Sequence, residues 1–179
     1  MIEVLVAMGL LMVVSLGVAQ LFAASTQVNL KARAQTSTTA LAEQKLEQIR
    51  SLTWGFDDQG LGLPVSDVTT NLSVYPPTKN GTGLNPSPAT SIQENTIGYV
   101  DFLDGAGTWV GTGTTPPASA VYIRRWSIQP LPTNPNNTLV FQVLVTTRSN
   151  EQVRAAGTAS RLRFPGDALL NSVKTRKSS

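Results

Sequence analysis

Residues 4–24 read VLVAMGLLMVVSLGVAQLFAA, and Ser15 and Gln20 carry the only polar side chains in this stretch. An α-helix rises about 1.5 Å per residue, so the stretch spans roughly 30 Å, the thickness of a bilayer core. No Lys or Arg precedes it, and the acidic Glu3 stands at its start. A secretory signal peptide has a basic first region and a shorter apolar core. The stretch therefore predicts a retained transmembrane helix.

The residues that follow continue this helix, because no Gly or Pro occurs between Ser25 and Gly55. Apolar residues recur there at helical spacing, at Leu41, Ala42, Leu46, Ile49 and Leu52. We expect Lys45, Glu47 and Arg50 on the other faces. The pattern predicts one helix from about Ile2 to Thr53, apolar all round in its first half and amphipathic in its second. The same shape also fits an ordinary single-pass anchor with a helical stalk.

The rest of the chain is typical of a β-rich head. Residues 55–96 are rich in Gly, Pro, Asn, Ser and Thr, which predicts a long surface connection with one short strand at 72–75. Further strands are predicted at 97–103, 108–111, 121–129, 138–147 and 153–164, with a hairpin turn at 104–107. An antiparallel sheet packed on the amphipathic helix half gives an α+β fold.

The chain therefore divides into three segments. Residues 1–25 form the transmembrane half of the helix, residues 26–54 the amphipathic half that packs on the head, and residues 55–179 the head itself. The basic residues Lys174, Arg176 and Lys177 at the end are expected to form a solvated tail.

Composition excludes several kinds of chemistry. The sequence contains no Cys and no His, which rules out disulfides, thiolate nucleophiles, Cys/His zinc sites and a Ser-His-Asp triad. A Ser-Lys or carboxylate pair remains, but no spacing suggests one. The net charge of +3, with only 14% charged residues, does not indicate nucleic-acid binding. We expect a protein that is not an enzyme and uses no cofactor, although a membrane-anchored binding module remains open.

Candidate sites in the head are weak. Asp57, Asp58 and Asp67 could bind calcium, but they lack the spacing of a calcium loop, so a solvated acidic loop is favoured. The sequence therefore predicts no metal site.

Two further polar pairs in the head are expected to be structural. Arg124 and Arg125 are neighbours on a predicted strand, so they face opposite sides and form no common basic patch. Asp101 and Asp104 are expected to stabilise the hairpin turn.

The opening Ile2-Glu3-Val4-Leu5-Val6-Ala7, with the apolar run behind it, resembles the N-terminal signature of type IV prepilins and type II secretion pseudopilins. Residues 40–50, ALAEQKLEQIR, are similar to the stalk of minor pilins of the pilus-assembly V type and pseudopilins of the I type. Residues 122–126, YIRRW, and the strand at 138–148 resemble the head of the same subgroup. Residues 55–118 carry no part of the resemblance.

The resemblance implies a subunit that works by assembly, most closely a minor pilin that helps to initiate or cap a type IV pilus. A major fibre subunit and a minor pseudopilin of a type II secretion system are the alternatives within the family. The implied location is the bacterial inner membrane, with the head in the periplasm, followed by a surface pilus or a periplasmic pseudopilus. The implied partners are other pilin or pseudopilin subunits, the inner-membrane assembly platform and membrane lipid.

The resemblance also assigns roles in the first helix. In the family, the glutamate that matches Glu3 pairs with the amino terminus of a neighbouring subunit; a residue at headgroup level is the alternative. Ile2, Val4, Leu5, Gly9 and Gly17 are expected to pack helices in the filament core, although glycine is common in membrane helices anyway.

The family's precursors carry a short basic leader that prepilin peptidase removes, and Met1 stands where the residue before Ile-Glu is usually Leu. Prepilin peptidase is therefore an expected partner if a leader exists.

Overall fold

The computed structural model describes residues 2–57, 59, 61–157 and 163–176. The chain forms two compact units, Met1–Ala34 and Gln35–Ser179. The helix α1 (Ile2–Ser51) runs through the first unit and supplies the beginning of the second. It ends close to the predicted end at Thr53, so the prediction of one continuous helix is confirmed.

The second unit combines the end of α1 with two antiparallel sheets. Its remaining elements are β1 (Trp54–Phe56), β2 (Pro64–Ser66), β3 (Val100–Leu103), β4 (Trp109–Gly111), β5 (Tyr122–Pro130), β6 (Thr138–Thr147), α2 (Arg148–Ala155) and β7 (Ala168–Thr175). The strands β1 and β2 pair with each other, and the larger sheet has the order β4-β3-β5-β6-β7. Every pairing is antiparallel. The predicted α+β class, with the helix on an antiparallel sheet, is confirmed.

The main core lies between the second half of α1 and one face of the large sheet. Ala42, Leu46 and Ile49 of the helix pack in one cluster with residues of β5 and β6. The β6 members are Leu139, Phe141, Val143 and Val145, which alternate along the strand and are all buried. Each fully buried side chain of this size contributes roughly 1.5–3 kcal/mol, so this face holds the helix on the sheet.

The other face of the sheet carries a smaller core. Val100 and Phe102 of β3 pack there with Ala120 and Ile123, and all four are nearly or fully buried. Because β5 presents alternate residues to the two faces, Ile123 belongs to this cluster while Trp126 belongs to the main one. The sheet is therefore covered on both sides around β3 and β5.

The connection between β2 and β3 contains no regular strand. The strand predicted at residues 72–75 is wrong, since only one isolated bridge, between Asn71 and Thr78, occurs in this part of the chain. The physical reason is the Pro76-Pro77 pair, because proline has no backbone N–H to extend a ladder. Gly81 closes the turn that follows, and a Cβ there would lie 2.1 Å from the Cα of Asn71, so only glycine fits.

The prediction for the last part of the head is also wrong. The strand predicted at 153–164 overlaps α2, and residues 158–162 lie outside the described ranges. A helix starts at Arg148 because Thr147 caps it: the Thr147 side chain accepts a hydrogen bond from the backbone N–H of Asn150. The last strand is β7, which pairs with β6 along its whole length.

The basic end of the chain is not a solvated tail. Lys174 donates to the carbonyl oxygens of Arg50 and Leu52 at the end of α1, where a cation is favourable. Arg176 lies over the ring of Trp54, at 3.5 Å from its centroid, and donates to carbonyl oxygens of the β1–β2 pair. Lys177 lies outside the described residues. The prediction of a solvated tail is therefore wrong for Lys174 and Arg176, which attach the end of β7 to α1 and to β1–β2.

Candidate functional site

The first unit is a helix that could serve as a membrane anchor. Over an 18-residue window, α1 has a mean hydropathy of 2.4, and none of that window is buried within the protein. In the described part of the chain this is the one helix long and apolar enough to cross a membrane. An apolar helix with no buried face in its own fold needs lipid or other helices around it.

The residues predicted to act in assembly all lie in this unit and are exposed. Ile2 is 77% exposed and Leu5 70%, and Glu3 and Val4 are exposed beside them. Within the described ranges Glu3 makes no ion pair with its own chain. The exposed carboxylate is therefore not paired with a charged group of the described residues.

The two glycines of the first unit leave open space on the helix surface. A Cβ built on Gly9 or Gly17 would meet no atom within 4 Å. Neither glycine is required by a contact among the described residues, and the open space at both positions is compatible with the close approach of a second helix.

The weak calcium candidates serve the backbone of their own loops. Asp57 accepts hydrogen bonds from the backbone N–H groups of Leu61 and Leu63. Asp67 accepts from the N–H groups of Thr69 and Thr70 and from the Thr70 hydroxyl. Burial alone would raise the pKa of Asp67, but these hydrogen bonds outweigh it and lower that pKa below its usual value.

No cluster of three or more possible metal ligands is found within the described residues. Asp58, the third calcium candidate, lies outside them. Asp57 and Asp67, which are described, both act as turn acceptors.

A buried charge network that was not predicted from the sequence lies between α1 and the sheet. Lys45 was expected on an outer face, but it is 1% exposed. Its Nζ lies 2.7 Å from the Asp101 Oδ2, donates to the carbonyl oxygen of Leu72 at 2.6 Å, and sits 4.3 Å from the ring centroid of Trp126. The expectation of an outer face is wrong because Lys45 lies three residues after Ala42 and four before Ile49, which places it on the same buried face. Its partner Asp101 is distant in sequence, so helical spacing alone does not reveal the ion pair.

Arg124 completes this network from β5. Its Nε and Nη2 donate to the two oxygens of Asp101, each at 2.8 Å, a bidentate pair that is almost fully buried. Its Nη1 donates to the carbonyl oxygen of Leu41 and to the side-chain oxygen of Gln44, both on α1. Two cations thus share one carboxylate, and the network joins α1, β3 and β5.

The expected role of Asp101 is therefore corrected, whereas that of Asp104 is confirmed. Asp104 accepts from the N–H groups of Ala106 and Thr108 and so stabilises the hairpin turn. Asp101 precedes that turn on β3, where its side chain points into the buried network. The contrast arises because Asp101 lies within the paired part of β3, whereas Asp104 follows the end of that strand.

The two arginines of β5 lie in separate environments, as predicted. Arg125 donates to Asn95 and pairs with Glu151 of α2, on the face opposite Arg124. Glu151 also pairs with Arg154 in the same helix. This second network attaches α2 to the sheet and leaves no common basic surface at the two arginines.

The Lys45 ammonium has an altered acidity. Burial lowers its pKa from the usual 10.5 to about 8, Asp101 opposes this, and Arg124 adds to it by repulsion. A lowered pKa of a basic group means that the charged form is less favourable in the folded state than in the unfolded chain. Holding the charged form inside the head therefore costs stability at neutral pH.

We predict that the free energy of unfolding of the head rises between pH 8 and pH 9.5, by about 2 kcal/mol. The folded head releases the Lys45 proton near pH 8, whereas the unfolded chain retains it to about pH 10.5, so the unfolded state binds more protons in between. The window stops short of pH 10 because burial raises the pKa of Tyr99. Above that pH the unfolded chain loses the tyrosine proton first, which lowers the free energy of unfolding. Urea unfolding of the full chain in detergent micelles measures the effect.

The control for this prediction is Lys45→Met, which removes the titrating group and leaves Asp101 paired with Arg124. The variant is expected to show a flat profile over the same pH range. An unchanged rise in this variant would assign the pH dependence to another group.

Comparison of this chain with protein-family models, with curated proteins and with solved structures finds no match.

Proposed function

We propose that the chain is a non-enzymatic, pilin-like subunit, in the minor role of helping to initiate or cap a type IV pilus. The observation that carries this proposal is the construction of α1. One uninterrupted helix begins with an acidic residue in an apolar, exposed stretch and ends as a core element of an α+β head. The resemblance of residues 2–7 to the prepilin signature supports the same function.

The physical argument starts from the exposed apolar surface. A helix that is apolar all round is stable in lipid or among other helices, and not in water. A subunit that moves from membrane to filament exchanges one such environment for the other, so the same surface serves both states. The charge of Glu3 supplies the specific contact, because a carboxylate at the edge of hydrocarbon is costly until a cation pairs with it.

The second half of α1 supports the proposal in a different way. Force or movement applied to the first half reaches the head only if the helix is firmly attached to it. Apolar contacts of Ala42, Leu46 and Ile49 provide that attachment, and the ion pair of Lys45 with Asp101 links the helix to β3. These contacts hold the second half of α1 within the head.

The test is to shear surface filaments from the native cells and to quantify the chain in that fraction and in the membrane fraction by mass spectrometry. We expect the chain in the filaments as a small share of the subunits. An unrelated inner-membrane protein, measured in the same samples, corrects for membrane carry-over.

The other outcomes change the proposal in defined ways. A dominant share in the filaments would make the chain the main fibre subunit. Detection in the membrane fraction alone would remove the pilus from the proposal and leave a secretion pseudopilin or an anchored head.

A further inference from the structure

A small cleft opens in the head beside α1. It has a volume of about 230 Å³ and lies between the helix, the β3–β4 hairpin and the connection that carries Tyr75. Gln44, Tyr75, Thr108 and Trp109 line it, together with the almost fully buried Arg124. All of these residues belong to the second compact unit.

Several groups around the cleft are held in place by the rest of the head. The indole N–H of Trp109 donates to the carbonyl oxygen of Ser73 at 2.9 Å, which fixes the ring. The side-chain oxygen of Gln44 accepts from Arg124, which determines the orientation of the amide. Arg124 is itself clamped by Asp101. The cleft is thus organised before any ligand arrives, which reduces the entropy lost on binding.

Three polar groups at the cleft have no partner within the described part of the chain. They are the amino group of Gln44 and the hydroxyl groups of Tyr75 and Thr108. Tyr75 is 61% exposed, so its ring and its hydroxyl are accessible from outside. The cleft therefore offers donors and acceptors that the protein does not use, beside two aromatic side chains.

The chemistry of this lining selects a class of ligand. The Arg124 guanidinium already donates hydrogen bonds to Asp101, to Gln44 and to the carbonyl oxygen of Leu41, so it is poorly placed to hold an anion. Aromatic rings combined with neutral hydroxyl and amide groups suit a molecule with apolar C–H faces and a rim of hydroxyl groups. The volume of about 230 Å³ is below the roughly 300–1,000 Å³ of ordinary ligand pockets, so the cleft suits one ring of such a molecule.

From this lining we infer that the cleft between Gln44, Tyr75 and Trp109 binds a neutral saccharide through one sugar ring. The rings of Tyr75 and Trp109 contact the C–H face of the sugar, and Gln44 and Thr108 hydrogen-bond its hydroxyl groups. The inference does not depend on the proposed function, because the cleft belongs to the head whether or not the chain enters a filament.

The test is saturation-transfer difference NMR on the full chain in micelles of a detergent without a sugar headgroup. The probes are glucose, galactose, mannose and N-acetylglucosamine, each titrated to about 50 mM, since single sugar rings bind weakly. At least one of them is expected to give a saturable signal. Absence of a saturable signal from all four would overturn the inference.

Variants locate the binding. Tyr75→Ala and Thr108→Val change exposed side chains, so both are expected to fold, and each should weaken binding at least about fivefold. Ile97→Ala is the matched control, because Ile97 is 72% exposed and lies away from this cleft, beside a different cavity. Equal binding by Tyr75→Ala, Thr108→Val and the unmodified chain would place the sugar elsewhere and overturn the assignment.

Discussion

Asp101→Ala is expected to destabilise the head by about 3–5 kcal/mol, because it removes the one carboxylate that two buried cations share. Lys45 and Arg124 would remain almost fully buried without a counter-charge. A loss of this size is a large part of the 5–15 kcal/mol that usually stabilises a domain. Urea unfolding of the full chain in detergent micelles measures the loss.

Asp104→Ala is the matched control for this variant. It makes the same chemical change three positions along the chain, but it removes only turn hydrogen bonds to Ala106 and Thr108. Its expected cost is about 1 kcal/mol for each of them. If Asp104→Ala proved as costly as Asp101→Ala, the buried charges would not be the reason for the effect.

A triple variant tests whether Asp101→Ala loses stability because the network is absent or because buried charges remain unpaired. Lys45→Met, Asp101→Leu and Arg124→Met together replace the charges by apolar side chains of similar length. Such replacements are often neutral or stabilising, since no buried charge remains unpaired. The triple variant is therefore expected to recover most of the stability that Asp101→Ala loses.

Glu3→Leu is expected to leave the chain in the membrane and to lower its amount in filaments by at least about tenfold, if the chain acts as we propose. Loss of one partner from a desolvated ion pair typically costs several kcal/mol, and 1.4 kcal/mol already corresponds to a factor of ten. Membrane insertion is unaffected because Leu is more favourable than Glu in an apolar segment. Quantitative mass spectrometry of the sheared filaments and of the membranes gives both readouts.

Glu43→Leu is the control for Glu3→Leu. Glu43 is an exposed glutamate on the same helix, outside the apolar stretch. The Glu43→Leu variant is expected to enter filaments at the same level as the unmodified chain. Normal incorporation of Glu3→Leu would show that the carboxylate has no part in assembly.

Some elements of this protein could be predicted because the residues within each element form a recognisable pattern. The apolar run of residues 4–24 and the unbroken helical pattern behind it are sufficient for α1, and period-two alternation is sufficient for β6. Turn residues located the β3–β4 hairpin. The patterns that indicate these elements lie within short stretches of the chain. The elements can therefore be predicted without knowing which distant residues pack against them.

Other parts followed from contacts between distant segments. Lys45 lies three residues after Ala42 and four before Ile49, so helical spacing places it on the apolar face. Only the fold brings Asp101, Arg124 and the carbonyl of Leu72 to its ammonium group. The sequence pattern around residues 153–164 favoured a strand, but the cap at Thr147 began a helix.

Local sequence patterns are therefore sufficient to predict the membrane-compatible helix and the α+β class. Which charges are buried, and what Lys174 and Arg176 contact, depends on the tertiary structure. The basic residues Lys174 and Arg176 were expected in solvent, but the end of α1 and the ring of Trp54 bind them. The physical reason is that burial of a charge depends on a partner brought near by the fold, and local spacing contains no information about that partner.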